Sequence, residues 1–384
     1  MAMRIAFLCS SLAPGRDGVG DYVRLLASSC AGEGHECLLV ALNDRHLSGH
    51  EASGGSGTIR LAQGASWRSK ALRLREALEG FGPDWVSWHI VSYGFSSRGI
   101  IPSQAALLAD ATRPWRRHAM LHELWLGISR GEGTRARVVG ALQRHHLLRL
   151  LERIRPTAVH TSNGAYQAAL RRAGWNAGVL PLFGNIPVFP ARREAAKSRL
   201  HELARERMPS GPVAVGILFG TIHPQWDADA TLAWLHEASR ASGRRILVLA
   251  LGRGGGHAPA KLARMNEGGR VFAWHLGELP AALLSEILQA SDFAVATHPW
   301  ALIGKSGTTA TLLEHGLPVL VPRDDWRLRE GPTPGPADPL LSRMADTAPR
   351  DFAALLGRRR EPAPRLAEIT ARLCAELSGQ PVTA

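Results

Sequence analysis

The residues best suited to chemistry gather in one loop, Gly304-Lys305-Ser306-Gly307-Thr308-Thr309. Hydroxyls, glycines and a lysine stand together there, just ahead of a helical pattern from Ala310 to His315. The first N–H groups of a helix have no intrahelical acceptor and carry a partial positive charge, so such a loop is a ready anion site. The chemistry it predicts is phosphate binding. It is not a Walker loop, because Lys305 precedes Ser306 without the GxxxxGK[ST] spacing. A plain cap by Ser306 or Thr308 is the competing reading. A cap needs one hydroxyl and no lysine, which favours phosphate.

A second candidate is His122-Glu123, at the end of an apolar strand pattern from Arg117 to Leu121. Ligands of open α/β sheets collect at the carboxyl ends of strands. There His122 can bond a hydroxyl or act as general base, or it can simply tie two loops together. Glu123 either orients His122 or caps a helix. Gly18 and Gly20, in a GVG turn before a helix, let donor phosphates or an acceptor approach the backbone. Thr221 and His223 follow another strand, with His223 as a candidate cation. Asp324-Asp325 reads as solvated acid, and no DxD metal site is evident, so no metal and no cofactor are expected. Gly252 to Gly256 is either phosphate-friendly or a plain loop.

These residues need strands and helices to hold them. The pattern predicts strands over 3–10, 36–42, 84–90, 117–121, 157–161 and 178–182, with helices over 21–34, 67–80 and 133–155. In the last, Val138, Val139, Leu142, Leu147, Leu148 and Leu151 are expected to form one apolar face. Residues 46–64 read as an exposed loop. PLFGNIPVFP, 181–190, reads as a linker. The alternation then resumes, with strands over 213–219, 245–251, 270–274, 293–296 and 319–321 and helices over 227–239 and 281–290. Residues 323–338 read as loop and 362–378 as a last helix. The expected class is α/β, with two doubly wound domains facing across a cleft.

The chain has 384 residues, enough for about two domains, and a formal net charge of +13. The charge comes from arginines spread through helices and favours anionic partners: nucleotide phosphates, an anionic membrane face or an acidic glycan. No nucleic-acid-binding motif is present, and aromatics are only 6%, so nucleic acid is not expected as a partner. No apolar run approaches the roughly 20 residues needed to span a bilayer. The four cysteines, Cys9, Cys30, Cys37 and Cys374, have no CxxC spacing and are expected to be reduced and mostly buried. The expected location is the cytoplasm, including the inner membrane face.

Several segments, taken in order, carry a resemblance. GVGDYVRLLASSCAGEGHECLLVAL resembles the opening of GT-B glycosyltransferases of the family-4 type (glycosyl transferases group 1). HELW resembles their His-acidic segment, PLFGNIPV their interdomain linker, and VFAWHLGELPAALLSEILQASDFAVATHP and LLEHGLPVLV their later core segments. The resemblance runs from residue 3 to about 322. It implies domains at 1–184 and 185–361, with a C-terminal helix, 362–384, packing back on the first. It implies transfer of a sugar from a nucleotide-diphosphate sugar to a glycan or lipid-linked acceptor, without a metal. His122 would then lie near the transferred sugar. His275, Leu276 and Gly277 would meet the nucleotide base, and Lys305, Ser306, Gly307, Thr308 and Thr309 would supply phosphate contacts. The family's E-x7-E positions fall at Ile303 and Thr311, and Glu314 is the nearest acid, nearly one helical turn out of register. The alternatives are a nucleotide-sugar epimerase or hydrolase, and a non-catalytic binding protein of the same fold.

Overall fold

The computed structural model describes residues 2–47, 51–53, 57–255, 258–266 and 268–379. Residues 48–50 and 54–56 of the expected 46–64 loop, and Gly256, lie outside them. The chain divides into two compact units. The first comprises the chain up to Pro181, then Leu328–Thr333 and the chain from Leu366. The second comprises Leu182–Arg327 and Pro334–Arg365.

The first unit holds β1 (Arg4–Cys9), β2 (Glu36–Asp44), β3 (Glu51–Ser53), β4 (Thr58–Ala62), β5 (Trp85–Ile90), β6 (Arg116–Leu121), β7 (Ala158–Thr161) and β8 (Gly178–Val179). They form one sheet in the order β3-β4-β2-β1-β5-β6-β7-β8, parallel except for β3. Its helices are α1 (Gly18–Gly32), α2 (Trp67–Phe81), α3 (Ala106–Ala111), α4 (Thr134–Ile154) and α5 (Gly164–Arg172). β3 and β4 fall where an exposed loop was expected. Their Gly- and Ser-rich surroundings hide two short strands: β4 pairs with β2, and β3 pairs with β4 as the sheet edge. On α4 the expected apolar face is corrected. Leu147, Leu150, Leu151 and Ile154 are buried, whereas Val138 and Leu142 are exposed.

The second unit opens with α6 (Arg193–Leu203). It then alternates β9 (Val213–Thr221), α7 (Ala228–Ser242), β10 (Arg245–Gly254), α8 (Ala258–Met265), β11 (Val271–Gly277), α9 (Ala281–Ala290), β12 (Phe293–Val295), α10 (Gly307–Glu314) and β13 (Val319–Val321). β14 (Leu341–Arg343) and α11 (Phe352–Gly357) complete it. Its sheet is wholly parallel, in the order β11-β10-β9-β12-β13-β14. Successive strand residues point to opposite faces. Val215, Ile217, Leu247 and Leu249 therefore enter one core while Ala214, Leu218, Ile246 and Val248 enter the other. Helices on both faces are what this double burial requires.

The expected linker is part of the second unit's packing. Glu314 Oε1 accepts from Gly184 N at 2.8 Å, Phe189 N donates to Ser285 Oγ at 3.0 Å, and Gln289 Nε2 donates to Phe189 O at 2.8 Å. The last helix, α12 (Leu366–Ser378), belongs to the first unit and packs on α1, where Cys30 Sγ and Cys374 Sγ lie 3.9 Å apart. The four cysteines are free. Residues 328–333, expected as plain loop, also belong to the first unit. Arg329 Nη2 donates to Ser129 O at 2.8 Å and to Glu132 O at 3.0 Å. No helix among the described residues is long and apolar enough to cross a membrane.

Candidate functional site

In the second unit the strand order reverses between β9 and β12, because β10 and β11 lie on one side of β9 and β12 to β14 on the other. The crevice at the carboxyl ends of two such strands is the usual ligand position in an open α/β sheet. Here it receives Thr221 at the end of β9 and His223 past it, Thr297 and His298 past β12, and the start of α10. Thr221, Thr297, His298, Thr308 and Thr309 line one small cavity. Gly220 has φ +83°, and a Cβ there would stand 2.5 Å from Thr308 Cγ2. Only glycine lets the β9 turn press on the α10 loop in that way.

Ser306 is the α10 N-cap. Its Oγ accepts from Thr309 N at 3.2 Å and from Thr309 Oγ1 at 3.0 Å, and it lies 2.9 Å from Thr308 Oγ1. The capping reading is therefore realised, and it leaves the N–H groups of Gly307 and Thr308 ahead of the first intrahelical bond, from Ala310 N to Ser306 O. Lys305 is half-buried, and its charge reaches both His223 and His298. His298 is pushed down to about 4, first by burial and then by Lys305.

His223 departs from the cation expected of it. Arg323 Nη1 donates to its Nδ1 at 2.7 Å and Gln225 N donates to the same atom at 3.1 Å, so the ring proton sits on Nε2. Burial, with Arg323 beside it, holds the ring below the usual histidine range. His223 is thus a neutral N–H donor, and the fixed charge is the guanidinium of Arg323. This side chain is only 6% exposed and is paired with Asp325 at 2.7 Å. Sequence reading missed Arg323 and His298. The available signal was a basic residue two positions past the apolar strand β13 and a histidine three positions past β12.

The other expected donor residues are spread more widely. His275, Leu276 and Gly277 end β11. His275 Nε2 lies 3.2 Å from Gly252 O, and Gly277 has φ +73°. Glu314 is buried and bonded to Gly184, and burial raises its carboxyl above the usual range. It serves as a clamp within the second unit. Thr311 and Ile303 are both buried, Ile303 in the apolar core.

In the first unit, Gly18 and Gly20 start α1, but the Asp17 carboxylate already accepts from Val19 N at 3.1 Å and Gly20 N at 2.9 Å. An anion of the protein's own fills the position a phosphate would take. Gly20 has a packing role instead, since a Cβ there would lie 2.2 Å from Ser11 O. His122 and Glu123 stand just past β6, beside β5. His122 is buried, its Nε2 is 3.0 Å from His89 Nδ1, and Tyr22 of α1 meets its ring edge-on at 5.1 Å. Burial pushes His122 down to about 3, so the ring is neutral at pH 7. Glu123 is half-buried. Near the far end of α1, Glu33, His35 and Cys374 converge. His35 Nδ1 accepts from Met3 N at 3.0 Å, which leaves a proton and no lone pair on its Nε2 for a metal.

No protein-family model matches the sequence, and no curated protein sequence matches it. Solved structures do. The chain is similar to HepE from Anabaena in complex with UDP, at 14% identity over 98% of this chain and 100% of that one, with a TM-score of 0.58. It is similar to the catalytic domain of starch synthase IV from Arabidopsis thaliana bound to ADP and acarbose, at 13% identity, 99% and 98% coverage and a TM-score of 0.54. A putative UDP-N-acetylglucosamine 2-epimerase from Listeria monocytogenes gives 12% identity, 99% and 96% coverage and 0.53. The fold is GT-B. At such identities the likeness concerns the GT-B architecture alone, and the chemistry has to be argued from this chain's own residues.

Proposed function

We propose that the protein is a nucleotide-sugar-dependent glycosyltransferase whose donor site lies at the β9/β12 switch point. The observation that carries this reading is the convergence there of Lys305, Arg323, the Nε2–H of His223 and the free end of α10. Cleaving a nucleotide–sugar bond leaves a diphosphate with added negative charge. Cationic and N–H donors fixed in advance stabilise that charge as it develops, without reorganising. Lys305 and the N–H groups of Gly307 and Thr308 are assigned to the diphosphate, with Thr308 and His223 beside them. Thr221 lies at the rim. His275, Leu276 and Gly277 would meet the base. His122 is the proposed partner of the acceptor hydroxyl, and Glu123 its neighbour. A glycan or lipid-linked acceptor, at an anionic membrane face, suits the charge of +13.

The test is binding of UDP, GDP and ADP to the whole protein, followed by transfer assays with the sugar of the nucleotide that binds. A ligand at 100 times its Kd stabilises the native state by about 2.7 kcal/mol. Absence of any stabilisation by the three nucleotides ends the proposal. A second reading, epimerisation or hydrolysis of the nucleotide sugar, is favoured by Ile303 and Thr311 at the E-x7-E positions. Product analysis without an added acceptor separates the two.

A further inference from the structure

The first unit contains a row of hydrogen-bonded side chains that the donor site does not use. Ser87 and His89 lie two apart on β5, His118 lies on β6 with His122 four residues on, and His160 lies on β7. The parallel register sets Ser87 beside His118 and Met120 beside both His89 and His160. With a side-chain period of two, all five residues therefore share one face of the sheet. His122 Nε2 is 3.0 Å from His89 Nδ1, and His89 Nε2 is 3.1 Å from Ser87 Oγ. Ser87 Oγ is 2.8 Å from His118 Nδ1, and His118 Nε2 is 3.0 Å from His160 Nδ1. His160 Nε2 is 2.5 Å from Glu376 Oε2 on α12. Ser87, His89, His118 and His160 are at most 3% exposed, while the Glu376 side chain is 23% exposed. Gly178 makes room for the row, because a Cβ there would stand 2.7 Å from the His160 ring.

The proton count of this row is fixed from one end. An ionised carboxylate only accepts. If Glu376 is ionised, His160 must carry its proton on Nε2 and accept at Nδ1. The same then holds at His118. Ser87 donates to His118 and accepts from His89, and His89 accepts from His122. Every bond has one donor and one acceptor, and every ring is a neutral Nε2–H tautomer. The only ring nitrogen left over is His122 Nδ1, with its lone pair, at the carboxyl edge of the sheet. The charged and titratable groups facing the row are Tyr22 of α1, against His89 and His122, and Arg372 and Glu376 of α12, against His160. Arg372 Nε is 3.3 Å from Glu376 Oε1 and favours the ionised carboxylate.

We infer that this row is a proton relay that makes His122 a competent base by connecting it to the carboxylate of Glu376. The inference rests on the reading of His122 as partner of the acceptor hydroxyl. As the acceptor oxygen's electron pair forms its bond to the sugar carbon, its proton passes to His122 Nδ1. The His122 Nε2 proton moves to His89 Nδ1, the His89 Nε2 proton to Ser87 Oγ, and the Ser87 proton to His118 Nδ1. The His118 Nε2 proton moves to His160 Nδ1, and the His160 Nε2 proton to Glu376 Oε2. The nucleoside diphosphate departs with the electron pair of the broken sugar bond. No imidazolium forms in the buried interior, where an isolated charge is costly. After the product leaves, the shift reverses: Glu376 returns its proton to His160, and His122 Nδ1 releases one to water.

The experiment uses the full chain labelled with 15N-histidine, and compares wild type with Glu376→Gln and Ser87→Ala. Glutamine keeps an acceptor oxygen for His160 but neither fixes the polarity of the row nor accepts a proton. The expected wild-type spectrum has His89, His118, His122 and His160 as neutral Nε2–H tautomers. In Glu376→Gln, Nδ1–H signals are expected at all four rings, out to His122. Mixed tautomers in the wild type overturn the relay, as does a change in Glu376→Gln confined to His160. In transfer assays, Glu376→Gln and Ser87→Ala are expected to lower kcat at least tenfold with donor KM unchanged. Equal kcat in folded Glu376→Gln and wild type also overturns it. A wild type with the uniform tautomer pattern but no transfer activity refutes the transferase reading and with it the base role of His122, while the polarity that Glu376 sets along the row stands.

Discussion

The buried histidines make the first unit's stability depend steeply on pH in a window that the carboxylates do not share. An unfolded histidine titrates near ~6.5, whereas His122 is held at about 3 in the native state. His89 and His118 are held well below the usual range, each first by burial and then by neighbouring rings. For a base whose native pKa is depressed, the unfolded state binds more protons. Its stabilising effect is complete above the unfolded pKa and is lost as pH falls toward the native one. Going from pH 7 to pH 5, the unfolded-state term RT ln(1 + 10^(6.5 − pH)) rises from about 0.2 to about 2.1 kcal/mol per ring. For His122 the loss is about 2 kcal/mol, and His89 and His118 add to it in the same direction. Against its burial, Asp44 is held below the usual carboxylate range by Arg60 and the backbone N–H groups of Leu12 and His46, so its contribution vanishes only at more acid pH. The assay is urea unfolding at pH 7 and pH 5, with hydrogen exchange at β5 and β6 amides assigning the change to this unit. A loss under about 2 kcal/mol at those amides, or 15N spectra with charged rings in the folded protein at pH 5, refutes the reasoning.

Four further outcomes are expected. Lys305→Ala should weaken binding of the preferred nucleoside diphosphate by about 10- to 150-fold, the range of one charge-assisted contact, as measured by calorimetry. Arg323→Met removes a positive neighbour from His223, so the His223 pKa should rise in an NMR titration; an unchanged titration would count against the contact. Gly20→Ala should cost about 1–3 kcal/mol of stability in urea, because its Cβ must displace the Ser11 carbonyl. Asp44→Ala should cost about 3–5 kcal/mol by the same measurement, since Arg60, Ser11 Oγ, Leu12 N and His46 N all lose their shared acceptor.

The parallel core was legible because most of its strands are apolar runs, as in β1, β9 and β13. The β3–β4 pair was not, since both strands are short and β4 is held by its distant partner β2. The loop at Lys305 and its Ser306 cap at the start of α10 were legible from residue types alone. Its companions His298 and Arg323 were not, because they come from two other strand ends, and only the strand order makes them neighbours. The histidine row left a signal that was passed over. Polar residues at Ser87, His89, His118 and His160 interrupt strands otherwise built of buried apolar groups, and a buried polar residue is the informative exception. Their shared face follows from register, which one strand cannot reveal. Glu314 misled in the opposite direction. Its proximity to a family motif pointed to a ligand, whereas its carboxylate is occupied by Gly184 N.

The placement of α12 has a consequence for biosynthesis. The sheet of the first unit precedes the second unit in the chain, yet Arg372, Cys374 and Glu376 are supplied by α12, which follows it. On the ribosome, the second unit has all its residues once Arg365 has emerged, while the earlier-made sheet still lacks Glu376, the partner of its His160. The half of the molecule translated first is the half completed last. A nascent chain arrested before Leu366 would leave His160 without its carboxylate and α1 without its α12 neighbour until α12 arrives.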